Sequence, residues 1–178
     1  VALTKRNDGV IRVVSEQEAK PWQGRLEDVA PGNVHGWPAY VAGVTWALKQ
    51  AGYGVGGFDA AITSCVPYGA GLSSSAALEA SVAVALDAQF DLGLAGTKDA
   101  PNDEGRKVLV AACIRAENEI AGANTGGMDQ SAALRSQEGS LLLLDCLDQS
   151  TEHVPFDLES SGLALLIIDT RAPHQLVD

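Results

Sequence analysis

The chain has 178 residues, 46% of them hydrophobic and 20% charged, enough for one compact domain with a sizeable core. A net charge of −11 excludes a basic nucleic-acid-binding face, and the composition excludes a disordered chain. No apolar run is long enough to span a bilayer and no signal peptide precedes the domain, so a cytoplasmic protein with neither a nucleic-acid nor a membrane partner is expected.

In chain order, Val10 to Val14 is a β-branched run behind the turn signal Asn7-Asp8-Gly9, with Val1 to Leu3 as a candidate hairpin partner. Residues 15–36 are polar and carry Pro21, Gly24, Pro31, Gly32 and Gly36, which reads mostly as loop. Trp37 to Ala51 is predicted helical, with Pro38 in its first turn and Gly52 after its end. Trp37, Tyr40, Val41, Val44 and Leu48 share one face at helical spacing; Tyr40 and Trp46 read as core, Trp37 as a residue at the helix mouth. Phe58 to Val66 alternates as a strand, and Ser73 to Phe90 is an alanine-rich helix expected to bury Leu78, Val82, Ala85 and Leu86. Arg106 to Ala121 is predicted as a third helix and Met128 to Leu134 as a fourth, while Leu141–Asp145 and Leu163–Asp169 are apolar strands. Strands and helices mix without regular alternation, so the predicted fold class is α+β, with helices on one side of a mostly antiparallel sheet. Cys65, Cys113 and Cys146 are scattered in apolar surroundings and are expected to be buried reduced thiols; His35, His153 and His174 form no metal cluster.

The connection between the second strand and the second helix carries the most chemistry. Gly69, Ala70, Gly71 and Leu72 let backbone approach a ligand, and Ser73, Ser74 and Ser75 fall where a helix begins and its N–H groups are unpaired. Such a helix start attracts phosphate, and the carrier expected is a nucleotide. The acidic net charge does not oppose this, because a helix terminus and Mg²⁺ hold phosphates locally. The lysine of the P-loop is missing, and Ser74 stands where a dinucleotide fingerprint needs its third glycine. Taken alone, the same loop is also an ordinary glycine turn with a serine N-cap.

A second loop, Asn124-Thr125-Gly126-Gly127-Met128-Asp129-Gln130, pairs two glycines with an acid in the first turn of a helix. There the helix dipole favours an acid by about 0.3–1 kcal/mol. Asp129 could accept a hydrogen bond or proton from an acceptor hydroxyl, or merely complement the dipole. Glu117 lies in an otherwise apolar helix and is a candidate oxygen ligand for a divalent cation. A solvated Glu117 beside Arg115 and Asn118 is the competing reading, and Glu119 the competing ligand.

The stretch Val66-Pro67-Tyr68-Gly69-Ala70-Gly71-Leu72-Ser73-Ser74-Ser75-Ala76-Ala77-Leu78-Glu79 resembles the second signature of the GHMP small-molecule kinases, and residues 124–131 resemble the catalytic loop of their galactokinase branch. The resemblance implies the GHMP N-terminal domain fold, ATP and Mg²⁺ as cofactors, and phosphorylation of galactose at its anomeric hydroxyl. It implies phosphate contacts from Gly69 to Ser75, Mg²⁺ ligation by Ser75 and Glu117, catalysis by Asp129, and sugar contact by Gly126 and Asp129. His35-Gly36-Trp37-Pro38-Ala39-Tyr40-Val41 resembles the segment that places a tryptophan near adenine, so Trp37 is an adenine candidate. Ile168 to His174 resembles the strand entering the family's second domain, which divides the chain into an ATP-binding domain over 1–160 and a connecting strand over 161–178.

Two parts of the family pattern have no counterpart here: the N-terminal sugar-binding block and the glycine-rich third signature. With Val1 first and Met128 the single methionine, the chain is expected to be the central piece of a longer protein, with its own missing parts as partners and little activity alone. Two other readings of the family resemblance stay open: a non-enzymatic galactose and ATP sensor, and another GHMP sugar kinase acting on arabinose or N-acetylgalactosamine. A dinucleotide-binding module is the reading outside the family.

Overall fold

The computed structural model describes residues 1–168, in which four helices lie against one face of a four-stranded sheet and a separate two-stranded hairpin follows. The sheet contains β1 (Ala2–Lys5), β2 (Val10–Ser15), β3 (Trp22–Arg25) and β4 (Phe58–Ile62), in the order β1-β4-β2-β3. Ile11 and Val13 of β2 alternate inward with Phe58, Ala60 and Ile62 of β4 and are all buried. On the outer face Arg12 stands beside Asp59, and their side chains pair at 2.6 Å. Period-2 alternation thus sends one face to the helices and the other to water.

The expected hairpin between Val1–Leu3 and Val10–Val14 is absent, because β4 enters between them. It pairs antiparallel with β1 and parallel with β2, so the sheet is mixed, with antiparallel pairs at both edges. The more apolar β4 takes a central place and the largely exposed β1 takes an edge, where unpaired backbone meets water. A parallel pair needs a long crossover, and helix α1 (Trp37–Gln50) supplies it. The segment 15–36 is not all loop: it contains β3 and a 3-10 turn at Leu26–Asp28.

Helix α2 (Ser74–Gln89) follows β4, which ends at Ile62 rather than Val66. Helix α3 (Asp103–Arg115) starts earlier than expected. Asn102 caps it by accepting a hydrogen bond from the Gly105 N–H at 3.1 Å, and Asp103 and Glu104 suit the first turn. It runs directly into a π-helical segment, Ala116–Ala121. Helix α1 packs closely on that segment through Gly43, where an added Cβ would lie 2.9 Å from that of Ala116. Helix α4 (Met128–Arg135) ends in a buried arginine. The Arg135 guanidinium donates to Asp103 on α3 at 2.8 and 2.9 Å and to the Thr151 hydroxyl at 2.7 Å. It thereby ties α4 to the hairpin β5 (Ser140–Leu144) and β6 (Thr151–Pro155).

Of the expected strand Leu163–Asp169, residues 163–168 are irregular and exposed; Asp169 and the resemblance at 169–174 lie outside the described residues. Only Cys113 is a buried thiol; Cys65 and Cys146 are exposed, since both sit in loops rather than on core faces. Among the described residues, no helix is long and apolar enough to cross a membrane.

Candidate active site

The loop ahead of α2 turns through three left-handed residues: Gly69 (φ 67°), Gly71 (φ 71°) and Ser73 (φ 55°). Ser73 occupies the N-cap position without capping the helix. Its hydroxyl donates instead to the Asp129 carboxylate at 2.7 Å. A left-handed backbone is uncommon for a residue with a side chain, and here it turns that hydroxyl away from its own helix toward α4. The ordinary turn with a serine cap is therefore not what this loop forms, and the starts of α2 and α4 face each other. Ser74 and Ser75 open α2, where the first N–H groups have no intrahelical partner.

A cavity of about 750 Å³ adjoins this loop, lined among others by Trp37, Tyr40, Gly69, Gly71 and Ser73 to Ser75. Trp37, the first residue of α1, is half-buried at its wall, as its place at the helix mouth suggested. Ala70 and Leu72 lie in the same loop and are exposed. Burial, with the nearby Glu117 and Glu79 carboxylates, pushes the Tyr40 hydroxyl up to about 12.

The loop ahead of α4 is held from two sides. Asn118, in the π-helical segment, accepts from the Thr125 N–H at 2.8 Å and donates to the Thr125 carbonyl at 3.2 Å. The Thr125 hydroxyl accepts from the Gly127 N–H at 3.2 Å. Gly127 has φ 85° and sits against Ile114, with no room for a Cβ. Asp129 follows in the first turn of α4, half-buried, while Gly126 is exposed with open space around it.

Beneath the two helix starts lies a buried acid pair. Glu117 is 2% exposed and Glu79 and Gln130 are fully buried. The Gln130 amide donates to Glu117 Oε2 at 2.5 Å and to Glu79 Oε2 at 3.1 Å. Burial pushes Glu79 up to about 9, helped by the charge of Glu117 and opposed by the Gln130 amide. Burial also raises Glu117; hydrogen bonds from Ser75 and Gln130 pull it back, and the Asp129 charge raises it further. Glu119, the competing candidate, is exposed and paired with Arg115 at 2.6 Å, and that guanidinium lies 4.7 Å from the centre of the Trp46 ring. The structure brings Ser75 to Glu117 and turns Glu119 away.

Ser75 and Glu117 offer a hydroxyl and a carboxylate, the hard oxygen donors that suit Mg²⁺. Among the described residues, no ion pair involves Glu79, Glu117 or Asp129. Nor do the described residues gather three or more His, Cys, Asp or Glu side chains for a metal. A buried carboxylate without a cationic partner fits a cation that takes its other ligands from phosphate and water.

Sequence reasoning missed Asn118, Gln130 and Glu79. For Glu79 a signal was present: position 79 shares a helical face with Ala76, Ala80, Ala83 and Leu86, so an acid there points inward.

Residues 39–137 match the family described as GHMP kinases N terminal domain. A galactokinase of Streptomyces coelicolor is 43% identical over 174 residues, covering 97% of this chain and 42% of the relative. A galactokinase of Mycobacterium tuberculosis H37Rv is 42% identical over 174 residues, covering 98% of this chain and 45% of the relative. The crystal structure of Lactococcus lactis galactokinase complexed with galactose superposes with a TM-score of 0.74 at 33% identity, over 88% of this chain and 38% of that one. The chain thus spans under half the length of these relatives. With a mixed sheet covered by helices on one face and a glycine-serine loop opening α2, it belongs to the GHMP kinases, by their N-terminal domain.

Proposed function

We propose that this chain is the central part of an enzyme that transfers the γ-phosphoryl group of ATP to the anomeric hydroxyl of galactose. The observation that carries the reading is the Ser73–Asp129 hydrogen bond, which joins the head of α2 to the acid of α4. Phosphoryl transfer is mostly positioning and charge neutralisation, so a phosphate cradle beside a hydroxyl-orienting acid is the arrangement it needs. The names of the similar proteins, and the galactose in the Lactococcus lactis structure, support galactose as the acceptor.

In this reading the backbone from Gly69 to Ser75 holds the β- and γ-phosphates. Trp37 lies beside the adenine at the cavity wall. Asp129 orients the sugar hydroxyl and takes its proton, with the open backbone at Gly126 against the sugar. Ser75 and Glu117 hold Mg²⁺, which neutralises charge on the phosphates when bound. Residues 1–160 form the ATP-binding domain and residues 161–178 lead toward a second domain. The activity belongs to the full-length protein, and residues 1–178 alone turn over little or no sugar.

The test is a panel of galactose, arabinose and N-acetylgalactosamine on the full-length protein, with Asp129→Ala beside it. Galactose is expected to be the preferred acceptor. Asp129→Ala should lower kcat by about 10²–10⁴-fold with ATP binding retained, the range of a lost general base. Unchanged turnover in Asp129→Ala would remove its role, and binding of galactose and ATP without product would make the protein a sensor.

A further inference from the structure

Gln130 stands at a junction that the phosphate and sugar contacts do not explain. Its side-chain nitrogen donates to both Glu79 and Glu117, and its carbonyl oxygen accepts from the Thr125 hydroxyl at 3.3 Å. One buried amide therefore joins α2, the π-helical segment and the loop ahead of α4. Each partner adjoins a residue of the site. Glu79 lies one turn after Ser75 on the same helix, Gln130 follows Asp129, and Thr125 precedes Gly126.

The orientation of that amide is what the surrounding groups determine. Thr125 supplies a hydroxyl donor on one side, and the two carboxyl oxygens supply acceptors on the other. Without the acceptor at Glu79, one N–H would be left unpaired in a dry interior, and the amide would be freer to turn its oxygen toward Glu117. Two acids meeting around one amide is an unfavourable core, and apolar residues of similar volume would pack there at least as well. The second oxygen of Glu79, Oε1, is buried and has no hydrogen-bond partner among the described residues. Glu79 is fully buried and accepts its hydrogen bond from the Gln130 amide, so it acts through that residue.

We propose that Glu79 and Gln130 are positioning residues, which together hold the Glu117 carboxylate in the orientation that lets it share a divalent cation with Ser75. The inference rests on the cation reading of Ser75 and Glu117 given above. Partners behind a metal ligand commonly set metal affinity by about 10–100-fold.

The experiment titrates the full-length protein with AMP-PNP, with and without Mn²⁺, and reads the metal-dependent gain in nucleotide affinity. Glu79→Leu and Gln130→Met remove the acceptor and the amide at nearly constant volume. Each is expected to lower that gain by about 10-fold or more while leaving metal-free affinity and Tm near wild type. Glu79→Gln keeps an acceptor oxygen and is expected to retain most of the gain. An unchanged gain in folded Glu79→Leu or Gln130→Met overturns the proposal, and so does an equal loss of affinity with and without metal. If Glu79→Leu does not fold, Gln130→Met decides alone. Glu117→Ala is the control: if it leaves the gain unchanged, the cation reading falls and this inference with it. If Glu117→Ala loses the gain and the two positioning variants keep it, only this inference falls.

Discussion

The two loops that lead into α2 and α4 both rely on glycine, but for opposite reasons. Around Gly69 and Gly71, ahead of α2, an added Cβ would meet nothing within 4 Å. Around Gly127, ahead of α4, it would run into Ile114, and the neighbouring Thr125 is tied at both its N–H and its carbonyl to Asn118. The first loop keeps its backbone open toward a space that a ligand can fill. The second has its space already filled by protein, which holds Asp129 at a fixed place. Substitution at the open glycines should therefore damage ligand binding, and substitution at the packed one should damage the fold.

Among the glycine positions, the largest effect is expected at Gly71. Gly71→Val in the full-length enzyme places a branched side chain at φ 71°, over the backbone that would face phosphate. A drop in kcat/KM for ATP of about 100-fold is expected, comparable to losing a backbone donor to developing charge. Ser74→Ala removes only a hydroxyl and is expected to lower it by less than about 10-fold. Steady-state kinetics at varied ATP checks both, and a larger loss in Ser74→Ala than in Gly71→Val would reverse the roles of backbone and side chain.

Gly127→Ala comes next. Its methyl group overlaps Ile114 and its backbone is left-handed, so destabilisation of about 1–3 kcal/mol is expected in urea unfolding. Adding Ile114→Val removes the overlapping terminal methyl and should recover part of the loss. Gly71→Ala, in open space, should destabilise less than Gly127→Ala. Equal losses would mean that backbone conformation alone, and not packing, separates the two loops.

These loops were legible in the sequence because their chemistry is local: a few consecutive residues carry the glycines, the serines and the acid. Their surroundings were not, because the partners come from distant segments. Nothing near Val10 announces that Phe58, and not Leu3, will pair beside it. Gly24 made β3 look like a turn, whereas the Trp22 ring lies across the position where its side chain would be. The β6 run Thr151-Glu152-His153-Val154-Pro155 is too polar to read as a strand, and only pairing with β5 makes it one. The third helix looked continuous in its spacing, yet the chain widens into a π-helical turn at Ala116, in which Glu117 is buried and Glu119, nearly opposite on the helix, is exposed. Burial of Glu79 follows the helical period, but its bond to Gln130, 51 residues away, does not.

Glu79 adds a pH dependence that belongs to the packed region. Its carboxyl is pushed from an ordinary 4.5 up to about 9, so the folded protein holds a proton there that the unfolded chain has released. The associated stability is fully present below pH 4.5 and is lost as pH rises through about 9. Urea unfolding of the full-length protein without metal or nucleotide should therefore show stability declining between those values, at no more than about 1.4 kcal/mol per pH unit from this group. Glu79→Gln should flatten that part of the profile. The same slope in wild type and Glu79→Gln would mean that the proton resides elsewhere.

The smallest effect separates Glu117 from its neighbour two residues on. Glu119→Gln removes an exposed pair to Arg115, of the kind that stabilises a helix by about 0.3–0.5 kcal/mol. Its side chain faces water and Arg115 and has no part in the Gln130 junction, so kcat and the metal-dependent gain in nucleotide affinity should stay at wild-type values. Glu117→Gln keeps the shape but gives up the charge that a cation would need, and it should lose that gain. Both variants remove one negative charge within three residues of the same helix, so a general change in field would affect them alike. A difference between them would have to come from burial and contact, which differ because the two residues lie on nearly opposite faces of the segment. Should Glu119→Gln lose as much metal dependence as Glu117→Gln, the cation would be responding to the net charge of the segment and not to a ligand held at one position.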